Sequence, residues 1–193
     1  MDAMGRFKLA SGFDKATEML SDEHRIIERV LDVMEKLTKH SVISFLESWK
    51  KALDFARHFA DQCHHLKEEK ILFPAMEAHG IPNDGGPIGM MLIEHEEGRS
   101  YVRSMSAAVA RIEAHDEGAY ESLLASARAY IRLLREHIEK EDQILFRMAD
   151  DVIPGEEQKQ LLRAFEEHEV GEMGTGIHEK YLAIAQALEA MVT

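Results

Sequence analysis

Cysteine is almost absent from this 193-residue chain: Cys63 stands alone, so no disulfide can close within it. A lone thiol suits a reducing compartment, and the expected location is the cytoplasm. Prolines number 4 and glycines 12, too few for a fibrous or loop-dominated chain. No apolar run approaches the ~18 residues of a membrane span. The opening stretch, MDAMGRFKLASGFDKATEML, lacks the apolar core of a signal peptide. Basic clusters are missing too: Lys and Arg total 23 against 36 Asp and Glu, a formal charge of −13. Neither nucleic acid nor a membrane is an expected partner, because phosphate binding needs a clustered basic surface.

What remains is apolar (45%), charged (31%) and rich in histidine, with 11 copies. Apolar residues recur at the helical period in five stretches, and none alternates as a strand would. The first runs from about Asp14 to Thr38, with Leu20, Ile27, Leu31 and Met34 as its stripe. The second runs from about Ser44 to Ala78 and carries Leu46, Trp49, Leu53, Phe59, Ile71 and Met76, with Pro74 expected to kink or end it. A loop rich in Gly and Pro precedes Pro87, which suits the first turn of a third helix reaching about Ala114. A fourth spans roughly Ala119 to Asp150; a fifth begins near Glu156, with a break expected within Gly171–Gly176. The expected fold is all-α: an up-down four-helix bundle over residues 14–150, with an added C-terminal helical segment over residues 151–193.

The chain also repeats itself. HHLKEEKILF (His64 to Phe73) matches HIEKEDQILF (His137 to Phe146) at seven of ten positions, counting Glu69 against Asp142. Each decapeptide follows a helix with one histidine on its apolar face, DEHR around His24 and IEHE around His95. Two helical hairpins related by a pseudo-twofold would bring all these histidines to one level.

Residues four apart on a helix share a face, so His64 with Glu68, and His137 with Glu141, can each aim at one point. Such a pair offers a nitrogen ligand and a carboxylate able to bridge two cations, a donor set suited to iron, manganese or zinc. Apolar neighbours surround these positions: Leu123, Tyr130, Leu134, Ile144 and Met148 about His137; Ile88, Met91, Leu92, Val102 and Val109 about His95. Polar groups in such company cost several kcal/mol unless satisfied, roughly 2–7 for an unpaired amide or hydroxyl, and metal ligation satisfies them. A competing pair, His65 and Glu69, lies one residue along and shares a face with His58. The repeat favours His64/Glu68, because His65 aligns with Ile138, which cannot ligate. His168 and His178 align with nothing in the repeat and read as solvated helix residues. His40, His79 and His115 fall at helix ends or loops, and Cys63 reads as a small buried residue.

The motifs DEHRIIERVL, HHLKEEKILFP, MMLIEHE and HIEKEDQILF together resemble those of the hemerythrin-like, or HHE cation-binding, family, over about Ala16 to Asp150. The resemblance implies an up-down four-helix bundle holding two iron ions joined by an oxo or hydroxo bridge. Carried over by position, His24, His64, His95 and His137 would supply nitrogens, and Glu68 and Glu141 the bridging carboxylates. Oxygen-carrying members place a second histidine four residues after the one on the third helix; here that position is Arg99. Each iron would then have four protein ligands and an open position, unless another side chain filled it. Glu28 and Tyr130 are the nearest candidates by spacing.

The implied function is a di-iron protein that binds or senses a small ligand such as O2, NO or a peroxide, or handles iron. A di-iron oxidase or peroxidase-like enzyme is the alternative. The Glu-x-x-His pairs of ferritin-type bundles are missing, which argues against that architecture. A metal-free helical interaction module is the third reading. The segment after Pro154 is expected either to pack on the bundle or to mediate homodimer formation.

Overall fold

The computed structural model describes residues 12–192, the side chain of Met173 apart. Residues 1–11, the greater part of the stretch read for a signal peptide, lie outside it. Among the described residues the chain is helical throughout, with no strand. Helix α1 is Ala16–Leu37. Helix α2 covers residues 43–78, entered through one 3-10 turn, Ile43–Phe45. Helix α3 is Pro87–Glu113, opened by the expected proline. Helix α4 covers residues 119–152 and packs along α3 as an antiparallel hairpin. Helices α5 (Gly155–Met173) and α6 (Ile177–Met191) complete the chain. The turn between them uses Gly174 and Gly176, both at positive φ (84° and 79°), a backbone that glycine adopts without steric cost.

Helices α2 and α4 are not plain α-helices. Residues Ala56–His65, Glu68–Leu72 and Glu141–Leu145 bond in the wider i→i+5 pattern. Such π turns gather at functional positions. Two of them start on aligned residues of the repeat, Glu68 and Glu141. Phe73 N–H donates to Glu68 O, and Phe146 N–H to Glu141 O. Pro74 therefore does not end α2: it follows a π turn and opens the regular segment Phe73–Ala78. The proline is not the cause of the turn, because Arg147 holds the equivalent place in α4.

The extra residue in each π turn shifts the apolar face. Ile144, expected against the bundle, is 57% exposed, while Leu145 beside it is buried. Ile71 is likewise only half-buried and Leu72 is buried.

Helix α1 carries two apolar faces. Leu20, Ile27, Leu31 and Met34 form the expected stripe, while Met19, Ile26, Val30 and Val33 are buried on a second. Glu23 sits on that second face and meets α6 through His178; Arg29 pairs with Glu189 farther along. Helices α5 and α6 pack against α1 and α2. Burial of each such side chain contributes roughly 1.5–3 kcal/mol at the upper bound.

Candidate metal centre

Four imidazoles are aimed by the same device. His24, His64, His95 and His137 each donate Nδ1–H to a carboxylate: Asp142 at 2.9 Å, Glu23 at 2.9 Å, Glu69 at 2.7 Å and Glu94 at 2.9 Å. A carboxylate on Nδ1 fixes the tautomer and leaves Nε2 as a lone pair facing inward, the arrangement that holds histidine on a metal. Each carboxylate is in turn neutralised by a cation: Arg25 on Asp142, Lys67 on Glu23, Arg99 on Glu69 and Lys140 on Glu94.

These partners explain the repeat letter by letter. In Glu23-His24 and Glu94-His95 the glutamate serves the histidine of the following helix, and the histidine faces inward. In His64-x-x-Lys67-Glu68-Glu69 and His137-x-x-Lys140-Glu141-Asp142 the lysine holds that glutamate. The first acid faces inward, and the second serves the single histidine of the other half, Glu69 that of α3 (His95) and Asp142 that of α1 (His24).

The inward groups converge in two sets. Ligand atoms of His24, His64, Glu68 and Glu141 lie within 4.8 Å of one another, as do those of His65, Glu68, His95 and His137. Each carboxylate reaches both sets. Glu141 Oε2 is 3.2 Å from His24 Nε2 and 3.2 Å from His137 Nε2. Glu68 offers one oxygen to His64 Nε2 at 3.6 Å and the other to His95 Nε2 at 3.5 Å.

His65 was the residue that the repeat set aside. The long π segment before it takes more residues per turn and narrows the angle between neighbouring side chains, so His64 and His65 both turn inward. The His65 ring stacks on His95 at 4.0 Å between centroids, 13° from parallel. A fifth imidazole thus arrives from α2, while Arg99 on α3 instead binds Asp61 and Glu69. The competing pair is split: Glu69 faces His95 Nδ1 from outside.

Of the other candidates, Glu28 is 40% exposed on its side chain and pairs with Arg25, away from the centre. Tyr130 is buried but belongs to neither set. His178 is a correction: it is not solvated but buried, bonded to Glu23 and Glu169. His168 is half-buried near Gln62 O, and Cys63 is buried.

Without a cation this arrangement is frustrated. His24 Nε2, His64 Nε2, both nitrogens of His65 and all four oxygens of Glu68 and Glu141 are buried and lack a hydrogen-bond partner. Each orphaned group costs about 1–3 kcal/mol, more when charged. His95 Nε2 and His137 Nε2 face each other at 3.1 Å, an approach that needs a proton or a metal ion on one of them. Burial, reinforced by the charge of Glu141, pushes Glu68 well above the usual carboxylate range. Burial would raise Glu141 as well, but His137 and His24 hold it well below that range. Burial lowers His64 to about 3 despite Glu23, whereas at His137 the carboxylates of Glu141 and Glu94 outweigh burial and raise it to about 9. The residues present fit a pair of cations.

A cavity of about 150 Å³ opens beside His65 between α2, α3 and α4. Arg57, Asp61, Arg99, Arg103 and Tyr130 are among its lining.

The family model for the hemerythrin HHE cation-binding domain matches residues 15–149. The chain belongs to this hemerythrin family. A hemerythrin domain of this kind binds metal cations, and the two sets of inward His and Glu side chains are where this one could hold them. An uncharacterized protein of Mycobacterium bovis and two of Mycobacterium tuberculosis are each 26% identical over 157 residues, covering 80% of this chain. The chain spans only 61% of the length of those relatives. No solved structure matches significantly. No described helix of this hemerythrin relative is long and apolar enough to cross a membrane.

Proposed function

We propose that this chain holds two metal ions, iron foremost, and uses them to bind or sense a small ligand such as O2 or NO. One ion would lie with His24 and His64, the other with His65, His95 and His137, with Glu68 and Glu141 shared between them. The observation that carries this reading is the convergence of two sets of buried His and Glu side chains, eight of whose nitrogen and oxygen atoms lack a hydrogen-bond partner. A metal-free packing role leaves their desolvation uncompensated.

When bound, an iron pair supplies reversible electron transfer to a small ligand. The chain's own residues do the rest. Carboxylates on Nδ1 hold four imidazoles in the ligating tautomer, and burial keeps these side chains from bulk water. The cavity beside His65 has room for a ligand of a few atoms. The Tyr130 hydroxyl, on that wall, would donate to it.

Protein purified without an affinity tag should hold two irons per chain and show near-ultraviolet ligand-to-metal charge-transfer bands. His137→Ala should abolish both; retained stoichiometry would count against the assignment. Stopped-flow mixing of the reduced protein with O2 then separates functions: a stable adduct means carriage or sensing, and repeated turnover means an oxidase.

A further inference from the structure

The pseudo-twofold that relates the two halves of the centre is broken at His65, and again behind the inward side chains. Glu23 and Glu94 are equivalent in the repeat, as are Lys67 and Lys140. Yet Lys140 is 37% exposed on its side chain and Glu94 11%, whereas Lys67 and Glu23 are both fully buried. The difference is the C-terminal pair of helices. Phe165 of α5 lies under the Lys67 ammonium, 5.9 Å from Nζ to the ring centroid. Glu169 of α5 lies 3.5 Å from the same nitrogen. His178 of α6 spans two carboxylates, with Nδ1 on Glu169 at 2.5 Å and Nε2 on Glu23 at 2.7 Å. Its ring packs edge-on against Phe59 at 5.5 Å.

Glu23, Cys63, Glu169 and His178 also lie close enough to suggest a third cation site. The Lys67 ammonium already takes that role, bonded to Glu23 and close to Glu169. The cluster is a filled charge network, and its outlet is Glu23 Oε2 on His64 Nδ1.

We propose that His178 and Glu169 are positioning residues for one half of the centre: they fix the Glu23 carboxylate that aims His64, so that α5 and α6 lock the ion held by His24 and His64. This rests on the two-ion reading above. The other half, served by Glu94 and Lys140, has no such lock. The C-terminal helices thereby add a second inequality to two sites that already differ at His65. Carboxylate partners of ligating histidines change metal affinity about 10–100-fold when removed, and His178 holds such a partner at one remove.

The test uses the full chain, loaded with 57Fe and first shown to carry two irons. Iron release to an excess of chelator is followed together with Mössbauer spectra and the thermal midpoint of the metal-free protein. In His178→Ala, one iron per chain should leave about tenfold faster while the other keeps its wild-type rate, and one quadrupole doublet alone should change. His178→Gln, whose amide can still donate to Glu23, should restore the slow phase. Glu169→Gln should shift the same phase to a lesser extent, and serves if His178→Ala does not fold. Unchanged release of both irons overturns the proposal. So does equal acceleration of both alongside a lower metal-free midpoint, which would mark a merely structural role. A wild-type chain that never loads two irons refutes the function itself, and this inference with it.

Discussion

Replacing Glu68 by glutamine should make the metal-free protein more stable while removing its capacity for a metal pair. Both Glu68 oxygens are buried without a partner, and the Glu141 carboxylate stands opposite. Its folded pKa lies above its unfolded one, so its contribution to stability is fully present below the unfolded value and is lost as pH rises through the folded value. At neutral pH the unfolded chain ionises Glu68 freely, while the metal-free fold must bury a charge or take up a proton. Glutamine removes that conflict at nearly equal volume. Taking about 2 kcal/mol from the 1–3 expected for an unsatisfied buried group, and about 2–4 °C per kcal/mol for a chain of this size, the metal-free midpoint should rise by about 4–8 °C. Iron should no longer raise the midpoint further, because an amide cannot bridge two cations as a carboxylate does. Calorimetry at pH 7, with and without ferrous iron, reads both effects. A lower metal-free midpoint, or a variant that still loads two irons, refutes the reasoning.

Other perturbations separate the parts of the centre. His65→Leu should leave the fold intact and speed release of one of the two irons to a chelator, since two histidines and both carboxylates remain to hold it less tightly. Lys67→Met removes the ammonium that neutralises buried Glu23, leaving it only His64 and His178, and should cost about 3–5 kcal/mol in denaturant unfolding. Lys140→Met, in the solvent-facing half, should cost under about 1 kcal/mol. Tyr130→Phe should keep both irons and speed release of a bound O2 or NO, read by stopped-flow absorbance. For acid stability, burial would raise Glu23, Glu94 and Asp142, but ion pairs and hydrogen bonds hold all three below the carboxylate range. Their contribution is present above the unfolded pKa of about 4 and is lost as pH falls through the lower folded values, so the metal-free protein should unfold progressively below about pH 4.

The helices were legible because α1, α3 and α4 each carry an apolar face at the helical period, and Pro87 and Gly174–Gly176 mark boundaries as such residues should. The departures share one cause. A periodic reading assumes i→i+4 bonding, and the π turns at Ala56–His65, Glu68–Leu72 and Glu141–Leu145 violate it. That shift exposed Ile144, let Pro74 pass without ending α2, and brought His65 in beside His64. The repeat itself held more than was read from it. Lys67 against Lys140 and Glu69 against Asp142 match as well as the histidines do, and Glu23 and Glu94 precede their histidines identically. Those matches were the available signal for the groups that brace the inward histidines. His178 had no such signal, because its partners come from α1 and α5 and nothing in the repeat mirrors it. The second apolar face of α1, through Met19, Ile26, Val30 and Val33, was the readable hint that α5 and α6 cover it.

Crystals of the iron-loaded protein, measured at the iron absorption edge, test the central claim most directly. Two anomalous peaks should appear per chain, one between His24 and His64 and one among His65, His95 and His137, with Glu68 and Glu141 touching both. A single peak, none, or one seated instead at Glu23, Cys63, Glu169 and His178 would contradict the account.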